Sequence, residues 1–125
     1  MGAYVLRLRV TGAIRLRIKT LGAHELSEGR YLYVGSARRG LAARCARHER
    51  LARDKFGKIH WHVDYLLTDP KCVLLGIDSF AADEECRVSR RIARRKGIVI
   101  PIRGFGASDC RSGCLAHLYR VGNPG

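Results

Sequence analysis

The chain has 125 residues, with 24 lysines and arginines against 11 aspartates and glutamates, a net charge of +13 and 46% hydrophobic residues. That length suits a single domain over residues 1–125 with a core of its own, and that hydrophobic fraction excludes a disordered chain. So positive a field asks for a polyanionic partner, nucleic acid before an acidic membrane, and no apolar run nears the ~20 residues of a spanning helix.

In chain order, Ala3–Val10 and Ile14–Lys19 both alternate, with Tyr4, Leu6, Leu8 and Val10 and then Ile14, Leu16 and Ile18 on the apolar side. A period of two broken by Thr11-Gly12-Ala13 predicts a β-hairpin. A three-residue loop keeps the faces matched, pairing Val10 with Ile14 and Leu8 with Leu16. It also sets Arg9 opposite Arg15 and Arg7 opposite Arg17, either a solvated face that discourages aggregation or one that contacts phosphate.

A loop over Leu21–Gly29 precedes a third strand, Arg30–Ser36, and then a helix over Gly40–Arg53. In the strand, Tyr31 and Tyr33 share one face and Leu32 and Val34 the other, while Gly35 lets another group or a phosphate approach the backbone. On the helix Leu41, Arg44, His48 and Leu51 form one stripe, so an arginine and a histidine share the packing side. Arg47, Arg50 and Arg53 lie elsewhere, as ordinary solvated groups.

Lys58–Leu67 reads as a helix rather than a strand; if helical, His60 and Asp64 pair at i, i+4, and Trp61 packs in the core. Two readings of His62 and Asp64 stay open, a border of the active site or a buried hydrogen-bonded cluster. Cys72–Ser79 is a strand, Asp83–Lys96 a helix capped by Asp83, Ile98–Ile102 a strand and Leu115–Val121 a last short strand. Helices between strands on a small mixed, largely antiparallel sheet make the fold α/β or α+β.

Gly2-Ala3-Tyr4 on the first strand and Tyr33-Val34-Gly35 on a later one resemble the paired Gly-Ile-Tyr and Tyr-Ile-Gly motifs of the GIY-YIG nuclease superfamily. Leu41-x-x-Arg44-x-x-x-His48 is similar to that family's arginine-bearing helix. Tyr33-Val-Gly-Ser-Ala, His60-Trp-His-Val-Asp-Tyr-Leu-Leu67, Glu85-Cys86, Phe105-Gly-Ala-Ser-Asp-Cys110 and His117-Leu-Tyr look like its small Uri-type branch. That branch occurs mainly in archaea and thermophiles, sometimes fused to an endonuclease III-like repair glycosylase.

The resemblance implies a one-metal endonuclease, DNA before RNA and repair-related, with Mg²⁺ or Mn²⁺ held by a glutamate of the later helix. Arg44 would bind the scissile phosphate, Tyr4 or Tyr33 would activate or orient water, and His48 would assist in proton transfer. A phenol needs Arg44 and the metal nearby to favour phenolate. With Ala81, Val88 and Ile92 marking the packed face, Glu85 lies about 40° from its centre and Glu84 about 60° on the other side. An acid directly before cysteine, as in the family, favours Glu85. A rival reading is a basic binding module that keeps the fold without catalysis, since no clear asparagine follows the glutamate helix except Asn123 near the end.

Gly35, Ser36, Arg38, Arg39, Arg91 and Arg95 are the expected nucleic-acid contacts, sequence-independent and salt-sensitive, and a repair partner is expected to supply targeting. Cys110-x3-Cys114-x2-His117 carries zinc-type ligands but falls short of four and of standard spacings. Buried thiols, or a Cys86–Cys110 bridge if the source is a hyperthermophile, are expected instead. Arginines interrupt every apolar stretch near the N-terminus and no lipidation signal is visible, so the expected location is cytoplasmic and nucleoid-associated, off the membrane.

Overall fold

The computed structural model describes residues 2–80, 84–107 and 114–122. Its frame is the first alternating segment, which forms strand β1 (Gly2–Val10). Residues 2–6 of this strand are buried on both faces and only Arg7 and Arg9 are exposed, so it lies inside a sheet instead of at an edge. It pairs antiparallel with β4 (Gly29–Ala37) on one side and β5 (Cys72–Phe80) on the other. With β6 (Ile98–Val99) and β7 (Leu118–Val121) the five strands run β5-β1-β4-β7-β6, all neighbours antiparallel.

The expected hairpin of the first two strands does not form. Ile14–Ile18 is strand β2, but its partner is β3 (Gly22–Leu26), inside the segment expected to be a loop. The apolar faces were compatible with either partner, and the long β1 finds more of its pairing in β4 and β5. Arg15 now faces Glu25, Arg17 faces Ala23, and Arg7 forms an exposed ion pair with Asp78 at 3.2 Å. Only Arg9 still faces an arginine, Arg30. The like-charge ladder is gone.

Helix α1 (Leu41–Asp54) follows β4, with Gly40 as its N-cap. Helix α2 is short, His62–Leu67, so residues 58–61 of the expected helix lie outside it. Helix α3 (Glu85–Ala93) has Glu84 at the N-cap; the expected cap Asp83 and the face marker Ala81 lie outside the described residues, as do Cys110 and Asn123. The expected strand Ile98–Ile102 shortens to two residues, and the last strand begins at Leu118.

The two sheet faces carry separate cores. Tyr4, Leu6, Leu8 and Val10 join Tyr31, Tyr33 and Leu118 against α1, α2 and the β2–β3 ribbon. Val5, Val34 and Tyr119 pack on Ile92 of α3. The alternation expected of Tyr31 and Tyr33 against Leu32 and Val34 is the one observed. The result is an α+β domain with helices on both sides of the sheet. Among the described residues no helix is long and apolar enough to cross a membrane.

Candidate active site where β1, β4 and α1 meet

The register of β1 on β4 sets Tyr4 directly opposite Gly35. A Cβ at Gly35 would collide with Cζ and Oη of Tyr4, so glycine at this position creates the space for the ring. Gly35 therefore makes room for a neighbouring tyrosine. Tyr4 Oη lies 2.7 Å from Nε2 of His48, a buried bond between the first strand and the third turn of α1.

The stripe on α1 explains why His48 arrives there. His48 and Leu51 are buried, and Arg44 is half-buried one turn earlier. Arg44 Nη1 donates to the carbonyl of Ser36 at 3.0 Å, tying the arginine to the end of β4. Its guanidinium lies 4.2 Å from the centre of the Trp61 ring, a cation–π contact. Arg47 also stacks on Trp61, at 4.7 Å.

Arg47 corrects the sequence expectation most clearly. Rather than a solvated group, it holds Asp64 through both carboxylate oxygens at 3.0 Å and bonds the Lys58 carbonyl at 2.9 Å. Asp64 is fully buried and also accepts the backbone N–H groups of His60 and Trp61, at 2.8 and 2.9 Å. Burial raises the Asp64 pKa, but Arg47 and these two donors outweigh it, and the carboxyl stays below its ordinary value. Asp64 thus anchors the start of α2 and fixes Trp61 beneath the two arginines. His60 meets Asp64 through its backbone, not as a helical side-chain pair, while Trp61 packs against the core as expected, half-buried under the guanidinium groups. His62 joins Thr20 (3.0 Å) and the Gly106 N–H (2.9 Å), so the motif's polar groups are hydrogen-bonded, and the Asp64 charge also acts on His48 and Tyr33.

Glu85 comes from the opposite layer. It opens α3 and its Oε1 lies 2.6 Å from Nδ1 of His117. Burial raises its pKa, but hydrogen bonds from His117 and Ser36 and the charges of His117 and Arg44 bring it below the ordinary value. Glu84 instead pairs with Arg87 on the surface at 3.2 Å. Of the two candidate acids, Glu85 is the one turned toward Arg44 and the ends of β1 and β4.

Burial also decides the tyrosines. Tyr4 is pushed up to about 12, because desolvation exceeds the opposing effect of Arg44. Tyr33 is raised well above its ordinary value by burial and by Tyr4, Glu85 and Asp64. The expectation that Arg44 draws a phenol toward phenolate holds in direction only. His48 is lowered to about 4, again by burial, with Asp64 opposing and Arg47 and Arg44 assisting. Tyr4 and His48 therefore form a neutral pair at physiological pH.

Tyr4, Tyr33, Arg44, His48 and Glu85 thus share one electrostatic neighbourhood. Ser36 and Gly35 belong to it through Arg44 and Tyr4. Arg38 and Arg39 are exposed on the turn between β4 and α1, beside it in the chain. Arg91 and Arg95 are exposed but lie farther off: six residues of helix place Arg91 about 9 Å along the axis from Glu85. Trp61, Arg47 and His117 also belong to the site. Arg47 had the pattern of a solvated group, Trp61 stood in the dense His60–Tyr65 motif without a role, and His117 stood in the zinc-type and His117-Leu-Tyr motifs without a place in this site. An open depression between α1 and β5, lined by Glu49, Ala52, Arg53 and Val73, contains none of these groups.

The arrangement offers a rigid guanidinium, a neutral Tyr–His pair and one ionised carboxylate, 22% exposed at its side chain. A single carboxylate of that kind fits a hard divalent cation that takes its remaining ligands from water and phosphate. No curated protein and no solved structure gives a significant match to the chain. A family model does match, over residues 3–124, nearly the whole sequence. The chain belongs to that family, the domain of unknown function DUF123.

Proposed function

We propose that the domain is a GIY-YIG-type, divalent-metal-dependent endonuclease, acting on DNA in repair. The observation that carries the reading is the convergence of Tyr4, Arg44, His48 and Glu85, from two sheet faces and two helices, on the end of β4. A core needs none of this charge, and the net charge of +13 supplies the attraction for a polyanion.

Glu85 would hold Mg²⁺ or Mn²⁺, and such an ion supplies Lewis-acid polarisation of a phosphoryl oxygen. Arg44 pairs with the scissile phosphate and meets the charge that develops on it, pre-set by Trp61 and the Ser36 carbonyl. In the tautomer with Nε2 of His48 unprotonated, Tyr4 donates its proton there, so the Oη lone pairs accept a hydrogen bond from the attacking water and aim it. As negative charge builds, the water proton passes to Tyr4 and the Tyr4 proton to Nε2 of His48. Tyr33, also buried, supports the wall against Phe105 and Gly106. Arg38 and Arg39 steer the backbone, and a repair partner supplies targeting.

One observation favours a second reading, a basic binding module without catalysis: with Tyr4 near 12 and His48 near 4, neither group is a ready base at neutral pH. An assay on single-stranded, duplex and branched DNA and RNA separates the two. Mg²⁺- or Mn²⁺-dependent cleavage stopped by EDTA is the expected result. Tight binding to all substrates with no cleavage under either ion would leave the binding module.

A further inference from the structure

A second constellation lies behind Glu85. Cys86 follows it on the first turn of α3, while Cys114 and His117 belong to the segment that enters β7. The ligand atoms of Cys86, Cys114 and His117 lie within 4.8 Å of one another. Tetrahedral zinc, with bonds of about 2.3 Å to sulfur and about 2.0 Å to nitrogen, sets its donors about 3.5 to 3.8 Å apart. Small side-chain rotations cover that difference.

His117 is prepared for such a role. It is 1% exposed, its backbone N–H donates to the Phe105 carbonyl at 2.8 Å, and its carbonyl accepts from Val34 at 2.9 Å. Its Nδ1 lies 2.6 Å from the Glu85 carboxylate, and a ring held in that way would ligate an ion through Nε2. A carboxylate behind a ligating imidazole is the usual outer partner in zinc sites. Cys86 and Cys114 are both partly exposed, so an ion can reach them. Two thiolates and an imidazole select zinc over the hard cation suited to Glu85. The spacing Cys110-x3-Cys114-x2-His117 pointed away from zinc because it is non-standard and needs a further ligand from a distant residue such as Cys86 or Cys72; the fold brings Cys86 beside Cys114 and His117.

We propose that Cys86, Cys114 and His117 supply three of the four ligands of a zinc ion that locks the start of α3 onto the entry of β7. Resting on the nuclease reading, zinc on His117 also makes its Nδ1–H a fixed donor to Glu85 and so positions the catalytic carboxylate.

Elemental analysis of the purified full-length protein, together with cobalt substitution, tests the zinc site without any cleavage readout. About one zinc per chain is expected in the wild type and in Cys45→Ser, whose thiol lies on α1 away from the cluster. Cys86→Ser, Cys114→Ser and His117→Gln should each lower occupancy at least tenfold. Should those variants fail to fold, the wild type still decides. Its cobalt form should show tetrahedral thiolate bands, and a chelator should expose two thiols to alkylation. Zinc-free protein with either thiol locked in a disulfide, or zinc retained in Cys114→Ser, would overturn the proposal.

Discussion

Tyr4 Oη and His48 Nε2 are 2.7 Å apart and buried, joining residues 44 positions apart in the chain. The contact exists because Gly35, opposite Tyr4, has no side chain to occupy the same space. One missing methyl group therefore sets the position of the hydrogen bond at the centre of the site.

The first prediction concerns that space. Gly35→Ala should cost about 1–3 kcal/mol of stability, as over-packing a core does. It should cost clearly less in a Tyr4→Ala background, because the colliding ring is then absent. Urea denaturation of the four proteins in the cycle measures this coupling.

Acid should weaken the fold through His48. Its ordinary value of 6.5 falls to about 4 in the folded state, so between those values the unfolded chain holds a proton that the folded chain does not. Stability is then full above about 6.5 and declines as pH falls toward 4, by about 3 kcal/mol from this group alone. Thermal unfolding from pH 8 to 4 should show the decline, and His48→Gln should flatten it. Tyr4→Phe should keep most of it, since burial is the main cause.

The Arg47–Asp64 pair makes a different demand. Arg47→Met leaves a fully buried carboxylate with only two backbone donors, and should cost about 3 kcal/mol in urea denaturation. An exposed arginine such as Arg50 changed the same way should shift the midpoint little.

These residues also mark how far the sequence could be read. The period-two faces of β1, β2 and β4 and the stripe of α1 are local patterns, and they predicted the buried side of each element. Strand partners are not local: Ile14–Ile18 can satisfy its apolar face on β1 or on β3, and nothing in its own residues chooses. The same limit hid Arg47, whose helical position looks solvated until the α2 segment brings Asp64 under it. Arg44 stood out because its own helix places it beside packing leucines. His117 and Cys86 stood in separate motifs, and nothing local joined them, because they come from different parts of the chain.

Nucleic-acid affinity should fall linearly on a log–log plot against salt, as counterions are released. Arg38→Ala and Arg39→Ala should each reduce that slope by about 1, without changing preference among sequences. Fluorescence anisotropy across salt concentrations reads both effects.

Single-turnover cleavage in Mg²⁺ by wild type, Arg44→Ala and Glu85→Gln, with affinity for the same substrate measured in parallel, tests the central claim most directly. The account predicts that each substitution slows cleavage by about 10²-fold or more while affinity stays within about tenfold. Cleavage at the wild-type rate by either variant would contradict it.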